Sequence, residues 1–212
     1  GLLRIVTSSR NLVAVNAAIP EAIAEAWSDD PSNLALLVSK VDAMAIGPGL
    51  GRSAETRDLV ERILLAWNGP VVLDADALND FAGDTASLGK LLRGCQAILT
   101  PHPAEMGRLI SIDADEVLEK RFEIGADVAR ATGATVLLKG SPTVIFSPTG
   151  ARYVIASGTA ALATGGSGDV LSGIAGTLLA QMRDGDNRET EAAACAAFVH
   201  GRAAELCRFV RA

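Results

Sequence analysis

The sequence predicts an α/β fold with a mostly parallel sheet and an antiparallel hairpin at one edge, and three observations carry that expectation. Short β-rich runs alternate with helical patterns; the runs are nearly continuous in apolar character, as strands covered on both faces are; and after Lys139 the alternation gives way to two closely spaced runs around a turn. The runs are "LLRIVT" (2–7), "AMAI" (43–46), "PVVLD" (70–74), "QAILT" (96–100) and "TVLLK" (135–139). Between them, "SAETRDLVERILLAW" (53–67) spaces Leu59, Val60, Ile63, Leu64 and Trp67 along one helical face, with Ser53 as N-cap and Glu55 in the first turn. Residues 113–133 repeat the pattern with Leu118, Phe122 and Ala129 as the apolar face and Gly133 at the exit. "PTVIFSP" and "ARYVIA" flank Thr149 and Gly150 and read as the edge hairpin. Two further helices are expected over 168–182 and 189–209. With no internal repeat, low-complexity segment or dividing linker, residues 1–212 are expected to form a single domain.

Composition narrows the function. Hydrophobic residues make up 49% of the 212, ample for a buried core. A net charge of −6 and a pI near 5.0, with no basic run, argue against nucleic acid or an anionic membrane as partner and favour a small molecule. Cys95, Cys195 and Cys207 are odd in number and lack CxxC spacing, which suits a reducing cytoplasm and suggests neither a disulfide framework nor a zinc site. No long apolar run or basic-apolar leader indicates a membrane span or a secretion signal. The chain opens on "GLLRIVT" without an initiator Met, so an upstream segment is expected to have been removed.

Ligands of open parallel sheets bind beyond the carboxyl ends of the strands, which directs attention to the segments that follow them. "GPGLG" (47–51) is either a loop whose backbone approaches a ligand or a plain strand-to-helix turn. In "LDADALND" (73–80), Asp74 and Asp76 would point the same way if the strand continued, suiting a hydrated magnesium ion or a substrate hydroxyl; alternatively one of them caps the next helix. His102 sits between two prolines in "TPHPAEMGRL", a stiff loop able to hold an imidazole at a strand mouth, while Pro103 and Glu105 suit the first turn of a helix. His200 lies on a helical pattern and reads as structural. Lys139, at the end of a buried strand and followed by Gly140, Ser141 and Thr143, could meet a phosphate or merely open the hairpin.

The most informative stretch is "ATGGSGDVLSGIAGTLLAQ" (163–181). Val170, Leu171, Ile174, Leu178 and Met182 recur at helical spacing and predict a buried helix whose entrance is lined by Gly165, Gly166, Ser167 and Gly168. Its first-turn amides have no intrahelical acceptors and, with the helix dipole, attract an anion that glycine lets come close. Asp169 at such a place would repel a phosphate unless it accepts a proton, so it is the expected general base for a substrate hydroxyl.

"AIGPGLG", "VLDADALN", "LTPHPAE", "LLKGSPTVI" and "ATGGSGDVLSGI", in this order, resemble the ADP- or ATP-dependent NAD(P)H-hydrate dehydratases of the ribokinase-like family. The resemblance implies a three-layer α/β/α sandwich and an enzyme, a lyase of metabolite repair. Hydrated NADH or NADPH is phosphorylated on its hydroxyl, with ADP or ATP as donor and Mg2+ as cofactor, and elimination of phosphate restores the nicotinamide ring. It places Gly49, Gly51 and His102 beside the hydrated nucleotide, and Lys139, Gly140, Ser141, Pro142 and Thr143 along the ADP or ATP. Gly165, Gly166, Ser167 and Gly168 then lie against its phosphate, and Asp169 is substrate-binding and catalytic; a metal site is not assigned. It further implies a cytoplasmic homo-oligomer, often a tetramer in the family. Two departures stand out. The family's first strand and Gly-rich loop are not matched before Gly1, so the domain is expected to lack them, and "SGTAALATGG" carries Thr159, Ala160, Ala161 and Leu162 where an Asn and Gly-Met are expected. Two alternatives remain: a ribokinase-fold kinase of a vitamin precursor, which shares Gly168 and Asp169, and a non-catalytic nucleotide-binding sensor or inactive fragment, suggested by the unmatched amino-terminal segment.

Overall fold

A computed structural model describes residues 1–28, 30–182 and 185–207. The chain forms two compact units, residues 1–41 and 42–212. In the first, β1 (Arg4–Thr7), α1 (Leu12–Ala18) and β2 (Ile23–Ala26) make a parallel two-stranded crossover, followed by α2 (Pro31–Val38). The strand expected from "LLRIVT" thus forms, but it pairs with the unforeseen β2 instead of joining the main sheet. With four residues, IAEA, and none of them buried, β2 gives too weak an apolar signal to be seen in the sequence.

The second unit contains β3 (Met44–Ile46), α3 (Ala54–Ala66), β4 (Pro70–Leu73), α4 (Asp76–Asn79), α5 (Thr85–Leu91), β5 (Gln96–Leu99), α6 (Pro103–Ile110), α7 (Ala114–Glu119), α8 (Gly125–Thr132) and β6 (Thr135–Leu138). β7 (Thr143–Phe146), β8 (Arg152–Ile155), α9 (Ser167–Gln181) and α10 (Arg188–Cys207) complete it. Its strands are ordered β3-β4-β5-β6-β7-β8, parallel through β6 and antiparallel beyond, as the change of rhythm after Lys139 predicts. Strand periodicity of two sends Val71, Leu73, Ala97, Leu99, Val136 and Leu138 to one face, against Val60 and Leu64 of α3, Leu88 of α5 and Val128 of α8. It sends Val72, Ile98 and Leu137 to the other, against Leu171, Ala175 and Leu179 of α9 and the alanines of α10. Helices therefore cover both faces of the sheet, which makes this unit a three-layer α/β/α sandwich of the ribokinase-like kind. Ser53 caps α3 by accepting the Thr56 amide at 3.2 Å, and Gly133 ends α8 in the left-handed region at φ 70, both as expected.

Two expectations need correction. The helix foreseen over 113–133 is broken: α7 ends at Glu119 and α8 starts at Gly125, with Ala129 buried as expected but Leu118 and Phe122 exposed and Val117 and Val128 buried in their place. The break lets the chain press onto the sheet at Gly125, where a Cβ would lie 2.2 Å from the Phe146 ring. The buried face of α9 is Leu171, Ser172, Ala175 and Leu179, while Val170 is 56% exposed, so the helix is half-buried and not wholly buried. Apolar residues surround this helix, so periodicity does not select its face. Packing on the sheet does: Leu171, Ala175 and Leu179 lie in one buried cluster with Val72, Ile98 and Leu137. The last helix runs to Cys207, and positions 208–209 of the expected span lie outside the described residues. Among the described residues no helix is long and apolar enough to cross a membrane.

Candidate functional site

The segments after β3, β4, β5 and β6 and the entrance of α9 lie close together, and Lys139 and Ser172 meet on one buried carboxylate. β4 ends at Leu73, and Asp74, 1% exposed, turns inward. Its Oδ1 accepts from the Ala75 amide at 2.8 Å and from the Lys139 ammonium at 2.8 Å, and its Oδ2 accepts from the Ser172 hydroxyl of α9 at 2.6 Å. Ala75 adopts φ 50, which reverses the chain so that Asp76 opens α4 and points away from Asp74. The extended arrangement that would have aimed both carboxylates one way is therefore not formed. Asp76 instead accepts the Gly51 amide at 2.9 Å and fixes the 47–51 loop. At the other end of that loop, a Cβ on Gly47 would lie 1.7 Å from the Asp74 carbonyl oxygen, so only glycine fits. Gly49, at φ 71, is exposed in the same loop.

The PHPAE segment enters through Lys139. Its ammonium lies 3.5 Å from Glu105, and its amide donates to the Pro101 carbonyl at 2.8 Å. Glu105 is 6% exposed. Burial is the strongest influence on its carboxyl and pushes it upward, but hydrogen bonds from His102 and the charge of Lys139 together hold it below the usual value. His102 caps α6: Nδ1 accepts the amides of Ala104 and Glu105 at 3.1 and 3.3 Å, and Nε2 faces Glu105 Oε1 at 3.1 Å. Those bonds assign the ring proton to Nε2. The His102 side chain is 44% exposed, so it forms part of the site wall while serving as a cap.

The N-terminus of α9 lies over this network, since a Cβ on Gly168 would lie 3.4 Å from Lys139 Nζ and 3.9 Å from Asp74 Oδ2. Gly166, at φ 82, is the N-cap and supplies no side-chain acceptor. Among the described residues the Gly168 and Asp169 amides have no acceptor, and no hydrogen bond reaches the exposed Asp169 carboxylate. Free amides, glycine on the approach and an uncommitted carboxylate can together hold an anion and accept a proton beside it. Gly165 and Gly166 border open space. Ser167 Oγ lies 3.3 Å from His200 Nε2, and burial lowers the His200 pKa. Gly140 and Ser141 are exposed and Pro142 and Thr143 half-buried, the Thr143 hydroxyl donating to the Gly140 carbonyl at 3.1 Å.

Asp74 was weighed in the sequence as a metal or hydroxyl ligand, Glu105 and His200 were read as structural, and Ser172 and Arg121 were missed. The pattern His-x-x-Glu is a capping box with an unusual cap, and this was the one signal that could have brought Glu105 forward. Among the described residues no group of three or more His, Cys, Asp and Glu side chains comes together as a metal site.

Comparison with known proteins places this geometry in context. The family model described as NAD(P)H-hydrate dehydratase matches residues 1–209. A bifunctional NAD(P)H-hydrate repair enzyme Nnr of Moorella thermoacetica is 44% identical over 191 residues, 88% of this chain and 34% of the relative. An ADP-dependent (S)-NAD(P)H-hydrate dehydratase of Neisseria meningitidis is 44% identical over 170 residues, 79% of this chain and 56% of the relative. The chain thus spans 34% and 56% of the length of these two relatives. Among solved structures, the ADP/ATP-dependent NAD(P)H-hydrate dehydratase of Bacillus subtilis, co-crystallized with ATP/Mg2+ and soaked with CoA, superposes with a TM-score of 0.80. It is 34% identical, over 97% of this chain and 72% of that one.

Proposed function

We propose that this chain, which belongs to the NAD(P)H-hydrate dehydratase family, is the nucleotide-dependent repair enzyme that returns hydrated NADH or NADPH to the intact nicotinamide. The observation that carries the reading is the meeting of Lys139, at the end of β6, and Ser172 of α9 on the buried Asp74 carboxylate, beneath a helix N-terminus with free amides and an uncommitted Asp169. The substrate hydroxyl attacks the terminal phosphoryl group of ADP or ATP, and Asp169 takes its proton. The bond to the leaving nucleotide breaks, and the new phosphate ester then eliminates inorganic phosphate. The Gly168 and Asp169 amides stabilise charge on the transferring group, and Gly165, Gly166 and Ser167 leave room for it. Lys139, held by Asp74 and Glu105, offsets one of the two carboxylate charges in the floor of this anion site, and the Gly140–Thr143 loop contacts the nucleotide. Gly49, Gly51 and His102 border the hydrated nicotinamide.

Magnesium neutralises phosphate charge when bound. Asp74 and Asp76 are already committed to Lys139, Ser172 and the Gly51 amide, so the described residues build no cage for it, and the ion would be held by nucleotide phosphates and water. The same reading includes a cytoplasmic location, a tetrameric assembly and one domain over 1–212. The three unpaired cysteines and the single family model running through both compact units support the first and the last.

The test follows nicotinamide absorbance when hydrated NADH is mixed with the protein, magnesium and either ADP or ATP. Recovery dependent on a nucleotide is expected, and no recovery with either overturns the proposal. Asp169→Asn is expected to lower kcat on the order of a hundredfold or more with nucleotide binding kept, as for loss of a general base. A large fall in affinity with unchanged turnover would remove Asp169 from that role.

A further inference from the structure

We propose that Arg121 is a positioning residue for the nucleotide, acting on the Gly140–Thr143 loop and not on the ligand; this rests on the reading of that loop as a nucleotide contact. Arg121 lies in the break between α7 and α8, where an uninterrupted helix was expected. Its Nη1 donates to the Ser141 carbonyl at 3.1 Å and its Nη2 to the Pro142 carbonyl at 2.6 Å. Gly140 sits at φ 152, and a Cβ there would lie 2.1 Å from Arg121 Nη2, so the guanidinium fills the space that a side chain would need. Arg121 Nε is buried with no partner among the described residues, so the two outer nitrogens set the orientation of the group.

The root of the loop is tied elsewhere, by the Lys139 amide on Pro101 and by the Thr143 hydroxyl on Gly140. Among the described residues, no other hydrogen bond reaches the Ser141 and Pro142 carbonyls. Arg121 therefore gives the loop one conformation before a ligand arrives, and ordering it does not have to come out of binding energy. Two carbonyls one residue apart match the planar fork of a guanidinium, whereas a lysine ammonium is a single point donor. The helix break acquires a purpose, since it brings a cation under the loop from a segment that packs against neither end of it in sequence.

The experiment measures direct ADP and ATP binding and steady-state kinetics for the full chain and for Arg121→Met and Arg121→Lys. Arg121→Met is expected to raise the nucleotide Kd and KM by roughly tenfold to a hundredfold, the effect of leaving one or two loop residues to be ordered on binding. The KM for hydrated NADH should stay constant and kcat at saturating nucleotide should change far less, with Arg121→Lys intermediate. If Arg121→Met fails to fold, Arg121→Gln is the second variant and should produce the same nucleotide-selective rise at smaller size. Folded variants that bind nucleotide as the parent does, or that lose affinity for both substrates alike, overturn the proposal. A parent protein that binds neither ADP nor ATP overturns the nucleotide reading of the loop and this proposal with it, a result distinct from normal parent binding with unaffected variants.

Discussion

Replacing Lys139 by Met keeps most of the aliphatic stem and removes, among the described residues, the only cation in contact with two buried carboxylates, Asp74 at 1% and Glu105 at 6% exposure. Asp74 would keep the Ser172 hydroxyl and the Ala75 amide, neither of which neutralises its charge. Removing one member of a buried ion pair costs about 3–5 kcal/mol, because the survivor stays desolvated and uncompensated. The Lys139 side chain is still 19% exposed, which admits some solvent screening and places the expectation at the low end, about 3 kcal/mol. For a chain of this size that is a fall in Tm of roughly 6–12 °C. Equilibrium urea unfolding should show a lowered midpoint at unchanged slope. Lys120→Met supplies the control: its pair with Glu116 at 2.7 Å is exposed on both sides, and its loss should leave the urea midpoint essentially unchanged. Asp74→Asn combined with Lys139→Met should be less harmful than the sum of the single changes, with a coupling of about 1–3 kcal/mol. A Lys139→Met protein within about 1 kcal/mol of the parent would refute the view that this pair anchors the site.

Gly47→Ala should destabilise by more than about 3 kcal/mol or prevent folding, because the methyl would meet a backbone oxygen at 1.7 Å that cannot retreat. Gly49→Ala, at φ 71 with nothing within 4 Å, should cost only about 1–2 kcal/mol of left-handed strain, so thermal melts of the two variants should differ clearly. The Glu105 carboxyl lies below its ordinary value of 4.5 in the folded state, so its contribution to stability is full above that pH and is lost as pH falls through the folded value. Glu105→Gln should therefore flatten the acid limb of a urea-midpoint profile taken from about pH 6 to about pH 3, and a limb as steep as the parent's would contradict the assignment.

The sequence by itself determined the order and type of the main elements wherever one physical signal dominated. Buried strands such as Val71–Leu73 and Leu137–Leu138 read as apolar runs because both faces are covered, and Ser53 and Gly133 marked helix ends by local hydrogen bonding and backbone freedom. The Gly-rich entrance to α9 and the carboxylate of Asp169 were legible because both are local features of one turn. Tertiary structure alone decided the rest. Which side of α9 is buried, and the break that sends Arg121 under the Ser141 and Pro142 carbonyls, depend on how close a helix can come to the sheet, a quantity that no periodicity encodes. Asp74 could be seen as a strand-end acid, but its partners Lys139 and Ser172 lie 65 and 98 residues away. Their meeting follows from the register of parallel strands and the helix laid across them, so the charge balance at the centre of the site exists only once the chain is folded.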